Sequence, residues 1–178
     1  RSRLRRAVVA GNPLRDGAYV VKSRAEEVLA ACGDKGVMLA MAESCTGGMI
    51  AAALTDIAGS SSVVERGFVT YTNEAKHEML GVPAPLIEQV GAVSEEVARA
   101  MAEGAVSHSN AQISVSVTGV AGPGGGSDEK PVGLVHMAVA YEGRDTVHER
   151  HVFSGDRQAV REQTVMAAFS LVLRVLAG

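Results

Sequence analysis

Short apolar runs alternate with stretches of helical periodicity along this 178-residue chain, and that alternation narrows the possible folds more than any other feature. The runs at Val37–Ala42, Gly67–Tyr71 and Ile113–Thr118 read as strands, and each of the first two leads into a helical stretch. Met49–Ile57 is one such helix, ending near Gly59, and Asn73–Leu80 is another, broken by Gly81. Tyr19–Cys32 places Val20, Val21, Val28, Leu29 and Cys32 at helical spacing, with Gly33 positioned to end it. Pro83–Val90 forms a short helix, and Ser94 caps a longer amphipathic one. Gly133–Tyr141 and Thr146–Phe153, separated by a polar turn, form a hairpin, and Asp156–Leu176 closes the chain as a long helix. Strands buried on both faces need helices to cover them, so the pattern predicts a single α/β domain, a three-layer α/β/α sandwich around a mixed β-sheet.

Composition sets the character of the core. Hydrophobic residues make up 47% of the chain but aromatics only 3%, with no Trp, so packing must be aliphatic. Scarce aromatics and a net charge of −3 also argue against single-stranded nucleic-acid binding, which uses rings as stacking platforms. Five arginines fall within the first sixteen residues, leaving an acidic remainder. Residues 1–18 are expected to be a basic tail, and 19–178 the folded domain. The apolar stretch Ala7–Ala10 is too short for a signal peptide, and no run approaches the roughly 20 residues that cross a bilayer. Two cysteines and no secretory signal point to the reducing cytoplasm. No partnership with nucleic acid or membrane is expected.

Chemistry is concentrated where the first strand gives way to a helix, at Glu43-Ser44-Cys45-Thr46-Gly47-Gly48. A serine at such a turn lies beside free backbone N–H groups, whose partial positive charge can stabilise an oxyanion. Gly47 and Gly48 let a substrate approach the backbone closely. The same residues would also serve as an ordinary helix cap, because Ser and Thr oxygens satisfy orphan amides.

A base for Ser44 is available without histidine. Tyr71 at the end of the second strand and Lys76 in the first turn of the next helix can converge on the sheet edge that carries Ser44. Lysine accepts a proton only when neutral, so its pKa must fall from about 10.4 through burial or nearby positive charge. The competing reading makes Tyr71 a strand residue and Lys76 a solvated helix residue. His77 is expected to face solvent. His148 and His151 would face opposite sides of a strand, which argues against a metal site.

The loop Gly119–Gly126 fails both the P-loop and the dinucleotide templates and leads into a strand. It is either a flexible connection or a substrate-covering loop at the carboxyl end of the third strand, where Thr118 and Gly119 would meet substrate.

Four blocks carry a family likeness: Ala42–Gly48, Gly67–Lys76, Gly91–Ser94 and Thr118–Pro123, the last followed by Lys130-Pro131-Val132-Gly133. Together, over about Val20–Leu176, the chain resembles the CinA carboxy-terminal domain family, whose stand-alone members are nicotinamide-nucleotide amidases. The resemblance implies hydrolysis of nicotinamide mononucleotide to nicotinate mononucleotide and ammonia, in pyridine-nucleotide salvage. It implies a Ser nucleophile with Tyr and Lys, matching Ser44, Tyr71 and Lys76, with no metal or cofactor, and a homodimer or higher homo-oligomer. In that mechanism Lys76 deprotonates Ser44, amides around Thr46, Gly47 and Gly48 hold the oxyanion, and Tyr71 protonates departing ammonia. Cys45 is the rival nucleophile. Arg157 with the N–H groups opening the last helix, or the Gly122–Gly126 loop, would hold the phosphate. The pyrophosphatase activity of the larger amino-terminal domain that many members carry is not expected. Two alternatives stand beside this reading: a non-catalytic nucleotide-binding module of the same fold, and an amidase for another aromatic carboxamide.

Overall fold

The computed structural model describes residues 13–178. Five strands form one mixed sheet in the order β2-β1-β3-β4-β5, with β1 (Leu39–Glu43), β2 (Val64–Val69) and β3 (Ile113–Gly119) parallel. The hairpin β4 (Leu134–Tyr141) and β5 (Val147–Val152) extends it antiparallel, as its polar turn predicts. Helices α1 (Pro13–Lys35), α2 (Met49–Thr55) and α6 (Arg157–Ala177) cover one face; α3 (Asn73–Leu80), α4 (Ala84–Val90) and α5 (Glu95–Ser107) cover the other. The expected three-layer α/β/α sandwich is therefore the observed fold.

Period-two alternation sorts the strand residues between the faces. Leu39, Met41, Ile113, Val115, Val117, Val135, Met137 and Val139 meet α1, α2 and α6, forming the larger apolar core around Phe169. The opposite parity is mostly small or hydroxylated, with Phe68 of β2 and His136 of β4 among the large exceptions. Ala98 and Ala102 of α5 pack on Ala138 and Ala140, while Ser114 and Ser116 donate to the Ala102 and Ala98 carbonyls, both at 2.6 Å. Small residues let α5 approach closely, and the hydroxyls find acceptors on the helix backbone itself.

Several boundaries differ from the sequence expectation. The proposed tail, 1–18, lies largely outside the described residues, and α1 already runs through residues 13–18. That helix also passes through Gly33; the turn is made by Gly36 at φ +64°. Strand β1 begins at Leu39 rather than Val37. Strand β2 begins at Val64 and ends at Val69, so Tyr71 lies beyond it in the loop to α3. As an edge strand bearing Glu65 and Arg66, β2 shows an apolar run only in its second half, so the charged first half goes unannounced. Among the described residues, no helix is long and apolar enough to cross a membrane.

Candidate active site

The carboxyl ends of the three parallel strands converge on one crevice, as open α/β sheets generally arrange their sites. A cavity of about 220 Å³ opens there, walled by Ser44 and Cys45 after β1, Tyr71, Asn73 and Lys76 after β2, Thr118 and Gly119 of β3 with Ala121 just beyond it, Ala92 and Val93 before α5, and Arg157 of α6. A second groove of about 620 Å³ shares Ala121 and Arg157 with it and continues along Pro123, Val132 and the start of α6.

Ser44 follows the parity of Ala40 and Ala42, so its side chain emerges on the α3–α5 side. Its amide continues the β1–β3 ladder by donating to Val117 O at 3.1 Å. Lys76 arrives from α3. The Thr72 hydroxyl caps that helix by accepting from Ala75 N at 3.0 Å, which fixes its start. Side chains lean toward a helix's N-terminus, so a lysine in the opening turn reaches back over the strand ends. Its ammonium donates to Ser44 Oγ at 3.1 Å and to Thr70 O at 2.9 Å. Lys76 is only 1% exposed, and burial holds its pKa below the ordinary lysine value of 10.5. No carboxylate forms a salt bridge with it among the described residues. In the neutral amine one N–H stays on Thr70 O while the lone pair faces the Ser44 hydroxyl, the arrangement a general base requires.

Tyr71 is 60% exposed at the mouth of the cavity. Its phenolic oxygen accepts from the Arg157 guanidinium at 3.0 Å, leaving the phenol proton free to be given away. Arg157 also donates to Gly122 O at 2.8 Å, tying the glycine-rich loop to the site. Thr118 lines the cavity, but its hydroxyl is engaged with Ala92 O at 2.8 Å. A Cβ on Gly119 would lie 2.7 Å from Leu134 O, so packing against β4 requires glycine there.

The turn after Ser44 differs from expectation. Thr46, Gly47 and Gly48 do not form the cavity wall. Gly47 N–H bonds Ser44 O at 3.0 Å, and Gly47 and Gly48 adopt φ +59° and +107°, conformations that favour glycine. The Thr46 hydroxyl donates to the buried Glu43 carboxylate, which also accepts from the Ile50 and Ala51 amides of α2 at 2.8 and 3.1 Å. That carboxylate fills the helix N-terminus an anion would otherwise use. Cys45 does line the cavity, and its N–H has no backbone partner among the described residues. The start of α6 is likewise occupied, since Asp156 accepts from Ala159 N at 2.9 Å, and a carboxylate there opposes a phosphate.

Cys45 has the opposite parity to Ser44. It packs in the α1/α2/α6 core, and burial raises its thiol pKa to about 11, so the rival nucleophile stays protonated at neutral pH. His77 is exposed, as expected, with Nδ1 2.9 Å from Val82 O. The histidines brought together are His136 and His148, 2.9 Å apart across the hairpin, rather than the neighbours His148 and His151.

Two residues at the site were not singled out from sequence. Glu43 stands at the end of β1, where a carboxylate closing a buried strand needs donors and finds them on α2. Arg161 donates from Nε to Cys45 O and from a terminal nitrogen to Thr46 O, both at 3.1 Å. Its one sequence signal is its place four residues after Arg157, on the same helix face.

The family model of the CinA C-terminal domain matches residues 21–176. The chain is 51% identical over 148 residues to the nicotinamide-nucleotide amidohydrolase PncC of Enterobacter agglomerans, covering 83% of this chain and 90% of the relative. It is 51% identical over 143 residues to the Escherichia coli protein of that name, covering 80% and 87%. Against a CinA-like protein of Citrifermentans bemidjiense, at 54% identity, it spans 80% of this chain but only 34% of the relative. The crystal structure of the competence/damage inducible protein CihA from Agrobacterium tumefaciens superposes with a TM-score of 0.86 at 47% identity, covering 89% of this chain and 96% of that one.

Proposed function

The chain belongs to the CinA C-terminal domain family, and on that footing we propose that it is a nicotinamide-nucleotide amidase, converting nicotinamide mononucleotide and water to nicotinate mononucleotide and ammonia in pyridine-nucleotide salvage. The observation that carries the chemistry is the buried Lys76 amine 3.1 Å from Ser44 Oγ. Neutral Lys76 takes the hydroxyl proton as Ser44 Oγ bonds to the carboxamide carbon, and Cys45 N–H faces the oxygen that gains charge. Collapse of the tetrahedral intermediate breaks the C–N bond, and Tyr71 supplies a proton to the departing amine. Water, deprotonated by Lys76, then cleaves the acyl-enzyme and frees the carboxylate.

The 220 Å³ cavity takes the pyridine carboxamide, and the ribose phosphate lies against Arg157, which stands between the cavity and the adjoining groove and supplies positive charge. This mechanism needs neither metal nor cofactor. Two free cysteines suit a cytoplasmic home, and the exposed apolar residues Val69, Val147 and Val152 on the edge strands suit a homo-oligomer.

Ammonia release from nicotinamide mononucleotide, followed by a coupled assay, tests the reading. Turnover by the wild-type chain and none by Ser44→Ala is expected. A folded wild-type protein that releases ammonia only from some other aromatic carboxamide, or from none, would overturn the substrate.

A further inference from the structure

We infer that Arg161 is a positioning residue for the nucleophile: it clamps the turn behind Ser44 and so sets the direction of the Ser44 hydroxyl and the Cys45 amide. The inference rests on the reading of Ser44 as nucleophile and adds to it a group that borders the second groove but acts on the reacting atoms through the turn behind them.

Each peptide unit is planar and trans, so fixing a carbonyl fixes the amide of the next residue on the opposite side. Arg161 holds Cys45 O and Thr46 O at 3.1 Å each, which sets the Thr46 and Gly47 amides. The Gly47 amide is the one that bonds Ser44 O at 3.0 Å, so the clamp reaches the nucleophile's own backbone through a single peptide. A Cβ on Gly47 would lie 3.6 Å from a terminal nitrogen of Arg161, in ordinary contact, so the guanidinium packs directly on the turn.

The turn needs an outside clamp. Gly47 and Gly48 both sit at positive φ, and glycines have wide freedom there. Glu43 anchors the far side through Thr46 and α2, while Arg161 closes the near side from a helix 115 residues downstream. A planar fork is required to reach two carbonyls at once, and an ammonium would reach only one of them well. One turn earlier, Arg157 binds Tyr71 and Gly122 O. A single face of α6 therefore ties together the nucleophile turn, the proposed proton donor and the glycine-rich loop.

The test compares wild type, Arg161→Met and Arg161→Lys in two assays. One is steady-state turnover of nicotinamide mononucleotide. The other is the rate at which a small fluorophosphonate labels Ser44, a step in which the Ser44 oxygen bonds to phosphorus, fluoride leaves and Lys76 takes the hydroxyl proton. Because misplacing a reacting group by about 1 Å can cost ~10²-fold, Arg161→Met is expected to lower kcat and labelling together by about 10–100-fold with KM little changed. Arg161→Lys is expected to fall between, and in a third variant, Arg161→Ala, free guanidinium is expected to restore part of the labelling rate. A raised KM with unchanged labelling would make Arg161 a substrate-binding group and overturn the inference, as would labelling that is unaffected in the Lys variant should the Met variant fail to fold. Wild-type protein that is labelled at Ser44 yet releases no ammonia would remove the substrate assignment alone, whereas wild-type protein that is not labelled would remove the nucleophile and this inference with it.

Discussion

The two faces of the sheet are built from the same strands but from different materials. Toward α1, α2 and α6 the strands present Leu, Met, Ile and Val around a fully buried Phe169; toward α3, α4 and α5 they present mostly Ala, Ser and Thr, with Phe68 of the edge strand β2 as a large exception, and it is there that Ser44 and the buried Lys76 lie. Large apolar side chains supply transfer free energy on the first face. Small residues on the second leave room for polar groups and helix backbone to come close. Neighbours in sequence are separated by this division: Ser44 opens on the polar side, and Cys45 is buried in the apolar one.

Substitutions on either side should separate activity from stability. The largest effect is expected from Ser44→Ala, which removes the proposed nucleophile and should lower kcat by about 10⁴–10⁶-fold while circular dichroism and the melting temperature stay near wild type. Loss of fold along with loss of rate would show that the polar face is structural too. On the opposite face, Phe169→Ala leaves a cavity in the aliphatic core and should cost about 3–5 kcal/mol in denaturant unfolding, with kcat retained below the transition. A matching drop in kcat at low temperature would mean that the faces are not independent. The smallest effect is expected from Cys45→Ala, which should leave kcat within about threefold of wild type because a thiol with its pKa raised to about 11 offers little thiolate at neutral pH. Inactivation by that change alone would move the nucleophile across the sheet.

Much of this division is legible in the sequence, for local reasons. Ser94 announces the start of α5 because capping is a local interaction, and its side chain does cap, as those of Thr72 and Asp156 do for α3 and α6. The buried strands β3 and β4 are legible as apolar runs. Ser44 and Lys76 can be paired because each sits at a defined distance from a strand end. What escapes is tertiary. Edge strand β2 carries charge in its first half, so its start is missed, and the run read from Gly67 is carried too far, onto Tyr71. The bonds from Arg157 to Tyr71 and from Arg161 to Cys45 and Thr46 join residues some 86 to 116 positions apart, and no local pattern foretells them. Glu43 stood inside the recognised motif, yet its role as the anion filling the α2 N-terminus depends on where that helix begins.

The central claim is that Lys76 works as an uncharged amine beside an alcohol, and burial is what pushes its pKa down toward that form. A folded-state pKa below 10.5 makes the neutral, proton-accepting form more abundant at any given pH, so the rate should rise with pH through that pKa and level off above it. The most direct measurement is the titration of Lys76 Nζ by nitrogen NMR, its resonance assigned by its absence in Lys76→Met, alongside kcat/KM over the same pH range. The account predicts a midpoint below 10.5 that coincides with the rising limb of the rate profile. A Lys76 that remains charged throughout the range of full activity would contradict it.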